Sequence, residues 1–119
     1  MSQQQGVGSL ADAFLSFSRT GTGTAYTVPT ANEGAAPPIL PTTTLVKSIY
    51  ISNETGGAVT TTVAAVDSSA TVTTELYKES MADGAQLQLL DQPIVLEKAD
   101  TLTLTGAGIK ILVSVMEIT

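Results

Sequence analysis

The sequence predicts an all-β protein, an antiparallel β-sandwich of jelly-roll-like type, and three observations support this fold class. First, apolar and polar residues alternate with a period of two over much of the chain, as at positions 101–105, which places successive side chains on opposite faces of a sheet. Second, Thr and Val dominate these runs, and both residue types favour strands. Third, Gly, Asn and Asp recur between the runs at a spacing that is typical of sandwich and barrel turns.

The N-terminal third of the chain divides into segments of different character. Residues 1–12 are polar and lack periodicity, which fits either a frayed terminus or an extended N-terminal arm that orders against a neighbouring subunit. Phe14 and Phe17 lie in a short mixed run that fits a strand or one helical turn. Residues 29–44 contain four prolines and are expected to form an extended loop. We therefore expect an arm followed by a single β-sandwich domain, residues 13–119.

Strands and turns then follow one another regularly, and we expect about seven or eight strands in all. Positions 53–57 and 83–84 are expected turns, because Gly and Asn tolerate positive φ angles. Pro93 stands at the start of a strand, where proline is permitted. The predicted strands are residues 25–28, 45–53, 58–66, 71–79, 84–90, 94–96, 101–105 and 109–118.

The final predicted strand is apolar on both of its faces. A strand of this kind needs cover on both sides. Either residues 13–28 pack over its back, or a second copy of the chain covers it, and the sequence leaves both arrangements open. The two sets are Ile109, Ile111, Val113 and Val115 on one face and Leu112, Met116 and Ile118 on the other.

The composition argues against catalysis. The chain has no His and no Cys, so the commonest general base, the usual metal-binding imidazole and the thiolate nucleophile are all missing. The acidic residues mostly fall at predicted turns, where we expect them to be solvated. No calcium-binding loop motif is present, although an incidental ion between turns stays open. We expect no enzyme activity and no cofactor.

Charge and hydropathy narrow the range of partners. The net charge is −6 and the five basic residues are scattered, so neither a basic stripe nor direct nucleic-acid binding is expected. No apolar run approaches the roughly 18 residues that cross a bilayer, and the N-terminus does not resemble a secretory signal. We expect synthesis in a cytoplasm and no membrane partner. Charged residues make up only 13% of the chain against roughly 25% in average domains, which suggests a surface covered by neighbouring molecules.

The sequence also resembles a known group of proteins. Residues 45–53, 58–63, 67–69, 91–102 and 113–118 resemble small virion structural proteins of tailed bacteriophages, in particular those of phages that infect cyanobacteria and other aquatic bacteria. Ala99 stands where these proteins are expected to carry Gly, which indicates a slightly different turn. The resemblance does not extend to the first 44 residues.

The resemblance implies a non-enzymatic role in a virion that is assembled in the host cytoplasm. Such proteins include capsid decoration (cement) proteins and neck, tail or fibre-associated components, and we expect a decoration protein, a homotrimer that binds the major capsid protein or other virion proteins. A neck, tail or fibre-adaptor component is the first alternative. A carbohydrate- or receptor-binding module using Tyr26, Tyr50 or Tyr77 is the second. We expect the interface to include Phe14, Phe17, Pro37, Pro38, Ile39, Leu40, Leu112, Met116 and Ile118.

Overall fold

The computed structural model describes residues 13–30 and 43–118, which form nine β-strands and, within these ranges, no helix. The run that contains Phe14 and Phe17 is therefore a strand and not a helical turn. The strands are β1 (Ala13–Thr20), β2 (Gly23–Thr27), β3 (Thr43–Ser52), β4 (Val59–Asp67), β5 (Val72–Met81), β6 (Gln86–Gln88), β7 (Ile94–Glu97), β8 (Thr101–Thr105) and β9 (Lys110–Ile118).

The strands form two antiparallel sheets. Sheet I has the order β1-β9-β3, and both β6 and β7 pair with the other edge of β3. Sheet II has the order β2-β8-β4-β5. The strands pair in succession as parts of one long hairpin: β4 with β5, β3 with β6 and β7, β2 with β8, and β1 with β9. The hairpin wraps around, so that β9 also pairs with β3 and β8 also pairs with β4. This is the jelly-roll arrangement, so the predicted fold class is confirmed.

The predicted strand at residues 84–90 is shorter in the structure because a side chain interrupts the ladder. Only Gln86–Gln88 is regular strand. The Ile49 amide donates to Oε1 of Gln88 at 2.9 Å, while the Leu89 amide donates to the Ile49 carbonyl at 2.8 Å. A side-chain oxygen thus occupies the place of a backbone acceptor, and the regular pairing ends there.

An aliphatic core fills the space between the sheets. Val46, Ile49 and Val113 are fully buried there. Phe17 differs from the expectation that it joins an interface, because it lies opposite inward-facing Val113 and therefore shares its face. Its half-buried ring packs against Tyr26, with the ring centroids 4.8 Å apart.

A buried polar network links the two sheets near one end of the sandwich. The Tyr26 hydroxyl in β2 donates to Oε2 of Glu117 in β9 at 2.6 Å. The Thr44 hydroxyl in β3 lies 2.7 Å from the Tyr26 oxygen, and it acts as a donor because the tyrosine proton is already engaged. Glu117 is 8% exposed and Asp100 is also 8% exposed, so these two acids are not solvated as expected from the sequence. Each is satisfied by hydrogen bonds instead.

Removing the tyrosine hydroxyl should destabilise the fold. Tyr26→Phe leaves a buried carboxylate without this donor, so we expect the free energy of unfolding to fall by about 1–3 kcal/mol. Tyr77→Phe is the matched control, since Tyr77 also packs against the core but its hydroxyl makes no hydrogen bond within the described residues. Urea unfolding of both variants at neutral pH measures the difference. Equal losses in the two variants would contradict the role given to the network.

The same hydroxyl should make stability fall at high pH. Burial, followed by the hydrogen bond to Glu117, raises the pKa of Tyr26 above its ordinary value of 10.0. At pH values below 10.0 the Tyr26 hydroxyl is protonated in both the folded and the unfolded chain, and its contribution to the free energy of unfolding is complete. As the pH rises further, the unfolded chain loses the proton first, so the free energy of unfolding declines. Unfolding curves between about pH 8 and pH 11 should show a shallower decline for Tyr26→Phe than for the unchanged chain.

Candidate assembly surface

The two outer faces of the sandwich have different chemistry. The outer face of sheet II is rich in threonine, since Thr101, Thr103 and Thr105 alternate with buried Leu102 and Leu104 on β8. The outer face of sheet I instead carries large apolar side chains. Because threonine hydroxyls are readily hydrated and large apolar groups are not, sheet I presents the face better suited to binding another protein.

One line of apolar residues crosses sheet I from edge to edge. Phe14 on β1 lies opposite Met116 on β9, which lies opposite Leu45 on β3, which lies opposite Val95 on β7. We call these four residues the apolar row. Phe14 is 69% exposed and Val95 is 61% exposed, while the two central side chains are half-buried. With neighbouring strands about 4.8 Å apart, the row is roughly 15 Å long.

A shallow depression runs beside the apolar row. Ser16, Ser114 and Ser48 lie opposite one another on β1, β9 and β3, and their small side chains leave a hollow of about 580 Å³. We call this hollow the serine trough; Phe14 and Lys47 line it as well. A bulky row beside a small-residue row gives the face relief that a complementary protein surface can fit.

A β-bulge places a cation over one end of the apolar row. The register between β3 and β9 shifts between Ser114 and Val115, which leaves Lys47 as the extra residue of β3. Its Nζ lies 5.0 Å from the centroid of the Phe14 ring, within range of a cation–π interaction. This contact orients an aromatic side chain that is otherwise largely in solvent.

The opposite end of the same face is polar. A depression of about 350 Å³ is lined by residues that include Tyr50, Leu112 and Gln86. At its rim, Nζ of Lys110 lies 3.0 Å from Oε1 of Glu54. The hydrogen bond from Lys110 is the main cause that lowers the pKa of the Glu54 carboxyl, and one from Ser52 adds to it. Sheet I therefore has an apolar end and a charged, hydroxyl-rich end.

The structure places the predicted interface residues of β9 on this outer face. Leu112 is 43% exposed, and Met116 and Ile118 are half-buried. Residues 13–28 do not pack over the back of β9: β1 lies beside it in the same sheet, and β2 belongs to sheet II on its inner side. Among the described residues, no element covers this face. The predicted residues Pro37, Pro38, Ile39 and Leu40 lie outside the described ranges.

Two members of the apolar row were not predicted from the sequence. Val95 lies within the continuous apolar run of residues 94–96, where alternation cannot tell one face from the other. Leu45 is followed by an interruption of the period at Lys47, so counting in twos along β3 assigns the wrong face to one half of the strand. Only the register across β9 and β7 aligns both residues with Phe14.

Within residues 13–30 and 43–118, no three acidic residues come together as a group that could hold a metal ion. No helix in these ranges is long and apolar enough to span a bilayer.

Comparisons with known proteins give little further information. No protein-family model and no curated protein matches the sequence. Among solved structures, the chain is similar to a chain of the Bacillus endospore appendages, a novel family of disulfide-linked pili. The similarity covers 99% of this chain and 98% of that chain, with 14% sequence identity and a TM-score of 0.46. A likeness this weak carries no information on function.

Adjacent residues of β7 provide a test of the outer face. Val95→Ala should change the free energy of unfolding by less than about 1 kcal/mol, because the side chain is already in solvent. Leu96→Ala should lower it by about 2–5 kcal/mol, because Leu96 is only 5% exposed and its loss leaves a cavity. Urea unfolding at low protein concentration compares the two. A loss for Val95→Ala as large as that for Leu96→Ala would show that the outer face is covered within the single chain.

Proposed function

We propose that this chain is a non-enzymatic virion structural protein of a tailed bacteriophage, a capsid decoration (cement) subunit that attaches through the outer face of sheet I. The observation that supports this most directly is the apolar row, which exposes Phe14 and Val95 at the ends of a continuous line across four strands. The sequence resemblance to small phage virion proteins supplies the class of particle. The lack of His and Cys agrees with a mechanical rather than a chemical role.

The energetics favour attachment by many weak contacts. Full burial of one aliphatic or aromatic side chain contributes about 1.5–3 kcal/mol. Association costs an estimated 4–15 kcal/mol, so four such side chains give at most a modest affinity for one subunit. An oligomer that presents several copies of the row gains affinity because each further contact is intramolecular. A homotrimer suits this requirement and the threefold positions that the resemblance implies.

The electrostatics of the face also suit a protein partner. Near the apolar row, Lys47 lies over Phe14, and at the far end Lys110 is paired with Glu54. Docking of the apolar end would therefore require removing few unpaired charges from water, and this keeps the cost of desolvation low. The chain as a whole carries a net charge of −6, which disfavours nucleic acid within the particle as the partner.

A neck, tail or fibre-adaptor component would use the same face. Copy number separates it from a decoration protein: hundreds of copies in each purified virion indicate the shell, whereas a small multiple of three, five or six indicates the tail axis. Quantitative mass spectrometry against the major capsid protein measures this number. A chain that is absent from purified virions would contradict both assignments.

A carbohydrate-binding module is the second candidate function, and the polar depression favours it. Tyr50 lines that depression beside Gln86, so one aromatic ring and several polar groups converge there. Tyr26 is buried and Tyr77 packs against the core, so neither offers a free ring face to a sugar. Saturable binding in a glycan screen that is lost in Tyr50→Ala would support this candidate over attachment to a capsid.

A charge in the apolar row should disrupt assembly. Met116→Glu places a carboxylate at the centre of the row, so we expect at least tenfold weaker attachment to particles, with the mass of the oligomer in solution unchanged. Thr103→Glu is the matched control, because it places the same charge on an inner strand of the opposite outer face. Co-sedimentation with particles measures attachment, and analytical ultracentrifugation checks the mass of both variants in solution. Attachment of Met116→Glu that equals that of Thr103→Glu would contradict the proposed use of the row.

A further inference from the structure

The four edges of the two sheets differ in how they are protected against pairing with another strand. An edge strand presents unpaired N–H and C=O groups, and proteins shield such edges with short strands, charged residues, proline or bulges. In the described part of the chain, sheet I ends at β1 on one side and at β6 and β7 on the other. Sheet II ends at β2 and β5.

Three of these edges carry protective features. β6 and β7 have three and four residues, and Pro93 lies just before β7. β2 has five residues and a bulge at Ala25, where the register with β8 shifts. β5 is long, but it carries Glu75, Lys78 and Glu79, and a register shift opposite Val63 and Ala64 interrupts its regularity.

The fourth edge, β1, is long and has neither a proline nor a bulge. It has eight residues without Pro or Gly, and its pairing with β9 runs from Ala13 to Thr20 without a register shift. Its one charged residue is Arg19. The Arg19 guanidinium turns toward the following turn, where Nε donates to the Gly21 carbonyl at 3.0 Å and Nη2 donates to the Thr22 carbonyl at 2.6 Å. The charge is thus engaged by this turn.

We propose that β1 pairs antiparallel with β1 of a second copy of this chain, so that the two copies of sheet I form one continuous sheet across a two-fold axis. We call the contact between the two β1 strands the seam. An antiparallel pair places the two Arg19 residues at opposite ends of the seam, whereas a parallel pair would bring like charges together. On the outer face, the seam is flanked by the small side chains of Ser16 and Ser18, which leave room for close approach. The strand is therefore complementary to itself.

Few registers of this pairing keep facing side chains on the same side of the sheet and also pair most of the strand. Residues that face each other must lie on the same face of the continuous sheet, so the axis passes through a residue and not between two residues. Axes at Ser16 and at Phe17 pair residues 13–19 and 14–20 respectively, which is nearly the whole strand. Both place two apolar rows on the same side of the joined sheet, and this enlarges the surface available to a partner. The pairing does not depend on the proposed function, and it supplies a two-fold contact that a trimer alone lacks.

The absence of cysteine makes the seam directly testable in the full chain. An axis at Ser16 brings two copies of Ser16→Cys face to face, and an axis at Phe17 brings Ser16→Cys of one copy opposite Ser18→Cys of the other. Facing residues have Cβ atoms about 4.5–5.5 Å apart, close enough for a disulfide after small adjustment. We expect Ser16→Cys alone, or its mixture with Ser18→Cys, to form linked dimers on mild oxidation at least tenfold more than Ser80→Cys on exposed β5. Non-reducing electrophoresis measures the linked fraction.

Variants that add charge to the edge give an independent readout. Ser16→Lys with Ser18→Lys gathers four lysines at the seam, and we expect the dissociation constant of the two-fold dimer to rise at least tenfold. Thermal unfolding at protein concentrations low enough to keep the chain monomeric should be unchanged. Thr73→Lys with Ser80→Lys, both on exposed positions of β5, is the matched control. Cross-linking no greater than that of Ser80→Cys, or equal masses for the two lysine variants, overturns the proposal. Adding Met116→Glu to the cysteine variants should leave the linked fraction unchanged. Failure of the β1–β1 pairing is therefore distinguishable from failure of the outer face to bind particles.

Discussion

Burial of the inward side chains of β9 against sheet II is the interaction on which the rest of the structure depends. Ile111, Val113 and Val115 are at most 2% exposed, and they anchor a strand that pairs with β1 on one side and β3 on the other. Because side chains alternate strictly, fixing these three inward forces Leu112 and Met116 outward. The apolar outer face is thus a geometric consequence of the core, and so is the inward position of Glu117, which requires the hydroxyls that satisfy it.

A β-bulge in β3 allows buried residues that are not spaced in twos to face the core. In β3, Val46 and Ile49 both face the core although they are three positions apart, and the extra residue Lys47 absorbs the difference. The same residue then reaches over Phe14. One local irregularity therefore keeps the core continuous and also shapes the outer face beside it.

The fold could be predicted from the sequence more fully than the surface. Alternation, strand-forming residues and turn chemistry were sufficient for the sandwich and for most strand positions, because each depends on neighbours in the sequence. The apolar row could not be predicted, because it depends on which residue of β9 meets which residue of β1, β3 and β7. The burial of Glu117 could not be predicted either. An acidic residue near the end of a strand is expected to be solvated unless a donor such as Tyr26 is known to face it. Phe17 was predicted to join an interface, because its inward orientation becomes known only from its pairing with Val113.

The pairing of β1 with β9 also sets the order in which the protein matures. Phe14 and Met116 are neighbours in space but about a hundred residues apart in sequence, so sheet I closes only after β9 has been synthesised. Until β9 emerges from the ribosome, β1 and β3 lack the strand that lies between them, so their unpaired edges are open to other chains during synthesis.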